Sequence, residues 1–217
     1  MTVEIELKAG LDDYEPVKKR LSALGNYCRS YKKSDTYWFP ARTDASEKTV
    51  LPSGLRIRRE CGTDADGTAI ETVLVTFKEK KISGGIEVSS EHEFTVSNAS
   101  LFEELLSRLG LNPDIRKEKQ GWAWTIPPEA SGQPSILAEL SLVANLGWFL
   151  ELEILAADDH AQTVTESRKR LLSLLEKLEI PPECIESRSY SEMLHMGRAP
   201  ANYNVVDRGQ TVSVENF

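Results

Sequence analysis

Histidine and cysteine are scarce in this 217-residue chain, with three of each. Cys28, Cys61 and Cys184 stand far apart in no CxxC spacing. Their odd number points to free thiols in a reducing cytoplasm, not to a disulfide framework. His92, His160 and His195 are isolated from one another and from every cysteine, so a zinc site or a Cys/His nucleophile has no support. No run of about 18 apolar residues occurs, and no membrane span is expected. Glu4, Glu6 and Lys8 fall where the apolar stretch of a secretion signal would lie. Neither GxxxxGKS/T nor a GxGxxG after a strand is present, so any phosphate has to be held by side chains. Basic residues are the minority, 26 against 34 acidic ones for a formal charge of −8. That balance argues against nucleic acid or anionic lipid as a partner, while leaving room for a local basic patch.

What the chain does have is alternation. Forty per cent hydrophobic and 28% charged residues suit one soluble domain with a real core. Val3-Glu4-Ile5-Glu6-Leu7-Lys8 puts apolar and charged side chains on opposite faces of a strand over residues 3–8. Similar strands are expected at 31–39, 55–59, 73–78, 86–96, 115–125, 136–142 and 149–155. Turn-prone segments lie at 43–46, 62–67, 82–85 (with the Gly84-Gly85 pair) and 127–134. Helical spacing appears three times. Residues 11–24 carry Val17, Leu21 and Leu24 on one side, with Gly25 as a stop. Residues 99–109 are capped by Asn98 or Ser100 and closed by Gly110. Residues 160–178 carry a stripe of Leu171, Leu174, Leu175 and Leu178, ended by Pro181-Pro182.

Eight short strands with few crossover helices predict an α+β fold, an eight-stranded antiparallel β-barrel with surrounding helices. Residues 1–195 read as one domain, and the polar, aperiodic tail 196–217 as mobile or packed opportunistically. Trp122 and Trp124 share a strand face and are read as packing residues. His92 points away from the face of Glu91 and Glu93.

Charges of one sign recur two residues apart: Glu4 and Glu6 followed by Lys8, Arg56 and Arg58, Glu91 and Glu93, Lys117 and Lys119, Glu151 and Glu153. Lys78 and Glu139 stand alone on comparable strands. Two readings are open. The charged rows are the solvated outside of an amphipathic sheet, or they face inward while the apolar rows pack against helices. Like charges on neighbouring positions repel, and unpaired ions in a dry interior are costly. The inward reading therefore requires a wet interior built for a polyanionic ligand and a divalent metal, with carboxylates for Mg²⁺ or Mn²⁺ and Arg and Lys for phosphate oxygens. Such walls suit metal-assisted phosphoryl or nucleotidyl transfer.

Glu4-Ile5-Glu6-Leu7-Lys8 resembles the ExExK signature of the CYTH superfamily, the triphosphate tunnel metalloenzymes. Asp35-Thr36-Tyr37-Trp38-Phe39, Leu55-Arg56-Ile57-Arg58, Thr76-Phe77-Lys78, the segment 146–153 (LGWFLELE) and Ser189-Tyr190-Ser191-Glu192-Met193-Leu194 resemble further motifs of that family in the same order. The likeness runs to about residue 195 and is nearest to the class IV adenylate cyclase branch. It implies an eight-stranded antiparallel tunnel. It also implies that Glu4, Glu6, Glu151 and Glu153, with Glu139 nearby, hold divalent metal, Mg²⁺ or Mn²⁺. Lys8, Arg56, Arg58, Lys78, Lys117 and Lys119 would hold the triphosphate, with Glu91 and Glu93 orienting basic residues. Glu4, Glu6, Lys8, Glu151 and Glu153 are the implied catalytic set. Three positions depart from the family: Ser141 where Asp is usual, Ser89 where Arg is common, and Lys119 where Arg is more usual.

The implied activity is conversion of ATP to cyclic AMP and pyrophosphate. The alternatives are a triphosphatase acting on inorganic triphosphate, thiamine triphosphate or a nucleotide, and a non-catalytic binder of polyphosphates or nucleotides. A triphosphate-bearing small molecule is the expected partner, and the class IV branch implies a homodimer.

Overall fold

The computed structural model describes residues 3–40, 54–83 and 85–196. The turn expected at 43–46, Gly84, and the tail from 197 on lie outside the described residues. All eight expected strands form: β1 Val3–Leu11, β2 Asn26–Pro40, β3 Leu55–Asp64, β4 Ala69–Ser83, β5 Ile86–Thr95, β6 Leu111–Ile126, β7 Ile136–Val143 and β8 Gly147–Ala156. Every pairing is antiparallel, and the strands close into a barrel in the order β1-β5-β4-β3-β2-β6-β7-β8. Among the described residues four α-helices accompany them: α1 Glu15–Leu24, α2 Ala99–Arg108, α3 Ala161–Lys177 and α4 Tyr190–Met196.

The period-two pattern sets which face is which. Ile5, Leu7 and Ala9 of β1, Leu150, Leu152 and Ile154 of β8, and Ala138 and Leu140 of β7 are fully buried on the outside of the barrel wall. There they meet Val17 and Leu21 of α1 and the Leu171, Leu174, Leu175 and Leu178 stripe of α3. On the other side, α2 lays Leu106 over Trp38, Ile57 and Val75. With the apolar rows committed to the helices, alternation turns the charged rows inward. Trp124 lies within the outer core, and Trp122 stacks with Trp148 beside Tyr14, so both tryptophans pack outside the barrel. His92 stacks on Phe77 on that outer side.

The boundaries differ from the sequence expectation where tertiary pairing overrides local pattern. The first helix begins at Glu15, not at 11, because Leu11 stays in β1 opposite Trp148. Gly25 stops it in an extended conformation, φ −131°; a Cβ there would lie 2.5 Å from Ile126 Cδ1. Asn98 caps α2 by accepting from Leu101 N, and Gly110 follows at φ 82°. The third helix ends at Lys177, before the proline pair, with Glu179 at φ 57° turning the chain; Pro182–Cys184 form a 3₁₀ turn.

The seven-residue α4 is an element the periodicity did not announce. It seats Tyr190 and Met193 against Val143, Leu146 and Phe149 at one end of the barrel. Among the described residues no helix is long and apolar enough to cross a membrane.

Leu171 is fully buried between α3 and the barrel wall. Leu171→Ala is expected to lower unfolding stability by about 2–5 kcal/mol. Urea denaturation would read this as a lower midpoint at unchanged slope.

Candidate functional site

A cavity of about 600 Å³ occupies the barrel interior. Its wall carries the glutamates at 4, 6, 60, 87, 91, 93, 139, 151, 153 and 192, against Lys8, Arg29, Lys33, Arg56, Arg58, Lys78, Lys117 and Lys119. All thirteen site residues named from the sequence line this one cavity: Glu4, Glu6, Lys8, Arg56, Arg58, Lys78, Glu91, Glu93, Lys117, Lys119, Glu139, Glu151 and Glu153. The reading of the charged rows as solvated outer faces is thereby excluded.

The two signs are unevenly spread over the strands, with Lys8 ending the acidic row of β1 and Asp35 and Glu60 lying within the basic rows of β2 and β3. Carboxylates crowd β1, β5 and β8. Glu6 sits directly opposite Glu87 on one side and Glu153 on the other, and Glu139 sits opposite Glu151. Like charges opposed across a ladder repel, and here they do so inside a barrel. Burial, followed by a hydrogen bond with Glu91, pushes the Glu4 carboxyl up to about 8. Burial and then the Glu6 charge push Glu153 up to about 7, and burial and then Glu151 push Glu6 up as well. Lys78 stands against this acidic row, with Nζ 3.2 Å from Glu87, 3.6 Å from Glu4 and 3.9 Å from Glu91.

The cations on β2, β3 and β6 are held by buried anions. Asp35, wholly buried, accepts from Arg58 Nε at 2.8 Å and Nη2 at 2.9 Å, and lies 3.0 Å from Lys117 Nζ. Although burial opposes it, Lys117 and Arg58 hold the Asp35 carboxyl well below its usual range. Glu139 accepts from Lys33 at 2.6 Å and from Lys119 at 3.0 Å, and Lys119 also donates to Glu151. These lysines likewise hold Glu139 low against its burial. Arg56 donates to Glu91 at 2.7 Å and to Thr76 at 3.0 Å. Lys8 packs its Nζ 4.5 Å from the centre of the Tyr190 ring and donates to the carbonyl of Arg188, so the loop before α4 touches the ExExK strand. Glu93 is exposed at the rim, where Thr76 donates to it at 3.3 Å.

Sequence reasoning passed over Arg29, Lys33, Glu60 and Glu87 as cavity residues, and used Asp35 and Tyr37 only as a strand motif. The signal was available by extending each row by one step of two: 33-35-37 on β2, 58-60 on β3, 87-89-91 on β5. The departures from the family also have visible consequences. Ser89 is buried and its Oγ lies 3.3 Å from Glu4 Oε2, where it can donate. Ser141 is wholly buried beside Tyr31.

The donor set fits a hard divalent cation. It is all carboxylate oxygen, clustered on neighbouring strands, and several members favour a bound proton where a cation would serve instead. Among the described residues, no three such groups are already gathered into a ready-made cage.

Comparison with known proteins agrees with this geometry. The CYTH domain family model matches residues 3–190. No curated protein matches the sequence. Among solved structures, the PH1819 protein of Pyrococcus horikoshii OT3 is similar at TM-score 0.69 and 22% identity, over 90% of this chain and 99% of that one. A protein of Vibrio parahaemolyticus provisionally assigned as an adenylate cyclase is similar at TM-score 0.65 and 15% identity, over 88% and 97%. HpAC1 from Hippeastrum, provisionally assigned as an adenylyl cyclase and showing a dominant triphosphatase activity, is similar at TM-score 0.60 and 15% identity, over 93% and 98%. At these identities the structures establish a shared fold.

A pH dependence follows from the raised carboxyls. Between about pH 5 and pH 8 the folded protein keeps protons on Glu4 and Glu153 that the unfolded chain has released, so stability falls as pH rises through this window. Thermal unfolding in metal-free buffer is expected to show Tm decreasing from pH 5 to pH 8. Added Mg²⁺ or Mn²⁺ should raise Tm strongly at pH 8 and little at pH 5. A metal effect equal at both pH values would contradict the placement of these carboxyls at a cation site.

Proposed function

The chain belongs to the CYTH domain family, and on that premise we propose that it is a divalent-metal-dependent enzyme acting on a triphosphate-bearing small molecule inside the barrel. One observation carries the reading: opposed carboxylate rows and a cationic row face each other across a single cavity of about 600 Å³. Neither row is tolerable alone. A metal–triphosphate complex complements both, placing positive charge at the carboxylates and negative charge at the guanidinium and ammonium groups.

Glu4, Glu6, Glu151 and Glu153 are the residues that would hold Mg²⁺ or Mn²⁺. When bound, such a cation supplies charge neutralisation on the phosphate oxygens and orients the attacking oxygen. The chain's own groups do the rest. Arg56, Arg58, Lys78, Lys117 and Lys119 bind phosphate oxygens and stabilise the charge that accumulates on the leaving oxygens. Asp35 orients Arg58 and Lys117 from behind. Glu139, with both its oxygens engaged by lysines, holds Lys33 and Lys119 in place, and we assign it that task in preference to metal coordination. Tyr190 and α4 exclude water from one end of the tunnel.

The reaction we favour is class IV cyclase-like, with the ribose 3′-hydroxyl attacking the α-phosphorus of ATP and pyrophosphate leaving. The support is the cluster of cyclase-like segments at residues 35–39, 55–58, 146–153 and 189–194. A triphosphatase reading, in which water attacks a terminal phosphorus, has support from the similarity to HpAC1. Both use the same walls. Incubation with ATP, inorganic triphosphate and thiamine triphosphate in Mg²⁺ and in Mn²⁺ separates them. Cyclic AMP with pyrophosphate marks the cyclase and orthophosphate the triphosphatase, whereas saturable binding without turnover marks a binder.

The double variant Glu4→Gln with Glu6→Gln is expected to lower kcat by roughly 10²-fold or more while circular dichroism stays that of the parent. Undiminished turnover would remove these residues from the catalytic set.

A further inference from the structure

The carboxylate wall runs over four neighbouring strands, β5-β1-β8-β7, and its two flanks are furnished differently. On the β7 flank the carboxylates are already covered by lysines. Glu139 Oε1 accepts from Lys33 and Oε2 from Lys119, and Lys119 reaches on to Glu151. Ser141, the next inward position of β7, offers a hydroxyl and no carboxylate. That flank is also nearly dry, with the Lys33 and Lys119 side chains 3% and 4% exposed. On the β5 flank Glu87 lies directly opposite Glu6, whose other neighbour is Glu153. Here the Glu87 side chain is 17% and the Lys78 side chain 23% exposed, and both line the cavity. The Lys78 ammonium stands among three carboxylates, 3.2 Å from Glu87, 3.6 Å from Glu4 and 3.9 Å from Glu91. A cation of the chain's own thus occupies the place where carboxylates of β1 and β5 converge.

We propose that Glu87 is a ligand of the divalent cation, acting with Glu4, Glu6 and Glu153, and that Lys78 competes with the cation for these carboxylates. The inference rests on the metal–triphosphate reading given above and says which strands carry the metal. Glu87 lies outside every motif that the chain shares with the CYTH family, so the resemblance assigns it no role. Its placement does. Directly opposite side chains have Cβ atoms about 5 Å apart, which brings the Glu6 and Glu87 oxygens within reach of one shared ion. A hard divalent cation takes carboxylate oxygens and keeps part of its hydration shell. The wetter β5 flank meets both needs, and the dry, lysine-covered β7 flank meets neither. One ammonium sets a single positive charge against this group of carboxylates, and a divalent cation sets two. Lys78, given up by Glu4 and Glu87, is then available to phosphate oxygens.

The test is Mn²⁺ binding to the full chain without substrate, at pH 8 and low ionic strength, read from the electron paramagnetic resonance signal of free Mn²⁺. Glu87→Gln is expected to weaken binding by about tenfold or more, the scale on which metal sites respond to loss of a supporting group. Glu93→Gln removes the same charge from the same strand at the exposed rim and should change the affinity by less than about threefold. Lys78→Met withdraws the competing ammonium and should tighten binding by about tenfold. In the Glu87→Gln background the same substitution should lose most of that gain, because the two side chains act on one ion. A Glu87→Gln variant that binds Mn²⁺ no more weakly than Glu93→Gln, while Glu6→Gln abolishes binding, overturns the inference and leaves the tunnel reading standing. So does a Lys78→Met variant that binds no more tightly than the parent. A parent that binds neither Mn²⁺ nor Mn²⁺ with inorganic triphosphate overturns the tunnel reading itself, and this inference with it. Should Glu87→Gln fail to fold, Lys78→Met decides alone.

Discussion

Three carboxylates in a row across adjacent strands, Glu87, Glu6 and Glu153, are the constraint around which the rest of the molecule is arranged. Antiparallel pairing brings directly opposite side chains to within about 5 Å of each other at Cβ. Closing the sheet then places all three in a shared interior of low effective dielectric. Such a row is stable only when protonated, paired or metal-bound, and Lys78 and Lys8 are the cations that act on it among the described residues. The raised Glu4, Glu6 and Glu153 carboxyls are the protein's response when nothing else supplies positive charge.

The barrel tolerates this interior because its apolar surface is placed elsewhere. In a small barrel filled by side chains the inside is the core. Here the core is the layer between the outer wall and α1, α2 and α3, and the bore is free to be ionic. The cations are prepared by buried anions behind them. Asp35 under Arg58 and Lys117, and Glu139 under Lys33 and Lys119, satisfy the donors and fix their directions before any ligand arrives. Removing one partner of such a buried pair leaves an uncompensated charge at a cost of about 3–5 kcal/mol.

Much of this was legible in the chain itself. Strict alternation in residues 3–8 and its repetition placed all eight strands, and the five same-sign pairs named ten of the residues that line the cavity, with Lys8, Lys78 and Glu139 noted beside them. What stayed hidden was of two kinds. Lys33, Glu60 and Glu87 escaped because their neighbours in the row differ in sign or character, while their partners come from distant strands; the Lys33–Glu139 pair joins residues 106 apart in sequence. The helix α4 escaped because seven residues give too little periodicity, and its stability comes from Phe149, Val143 and Leu146 instead of its own pattern. The start of α1 was misplaced for a related reason: Leu11 fits a helical stripe, yet a ladder partner, Trp148, holds it in β1.

The central claim is that the carboxylate and cationic walls form one binding site for a metal-bound triphosphate. The most direct test is anomalous X-ray diffraction from crystals grown with Mn²⁺ and a non-hydrolysable triphosphate analogue. The account predicts an anomalous peak inside the barrel within coordinating distance of Glu6 and Glu153, with phosphate density reaching Arg56 and Arg58. Manganese found only on the outer surface, in crystals whose bore holds no phosphate, would contradict it.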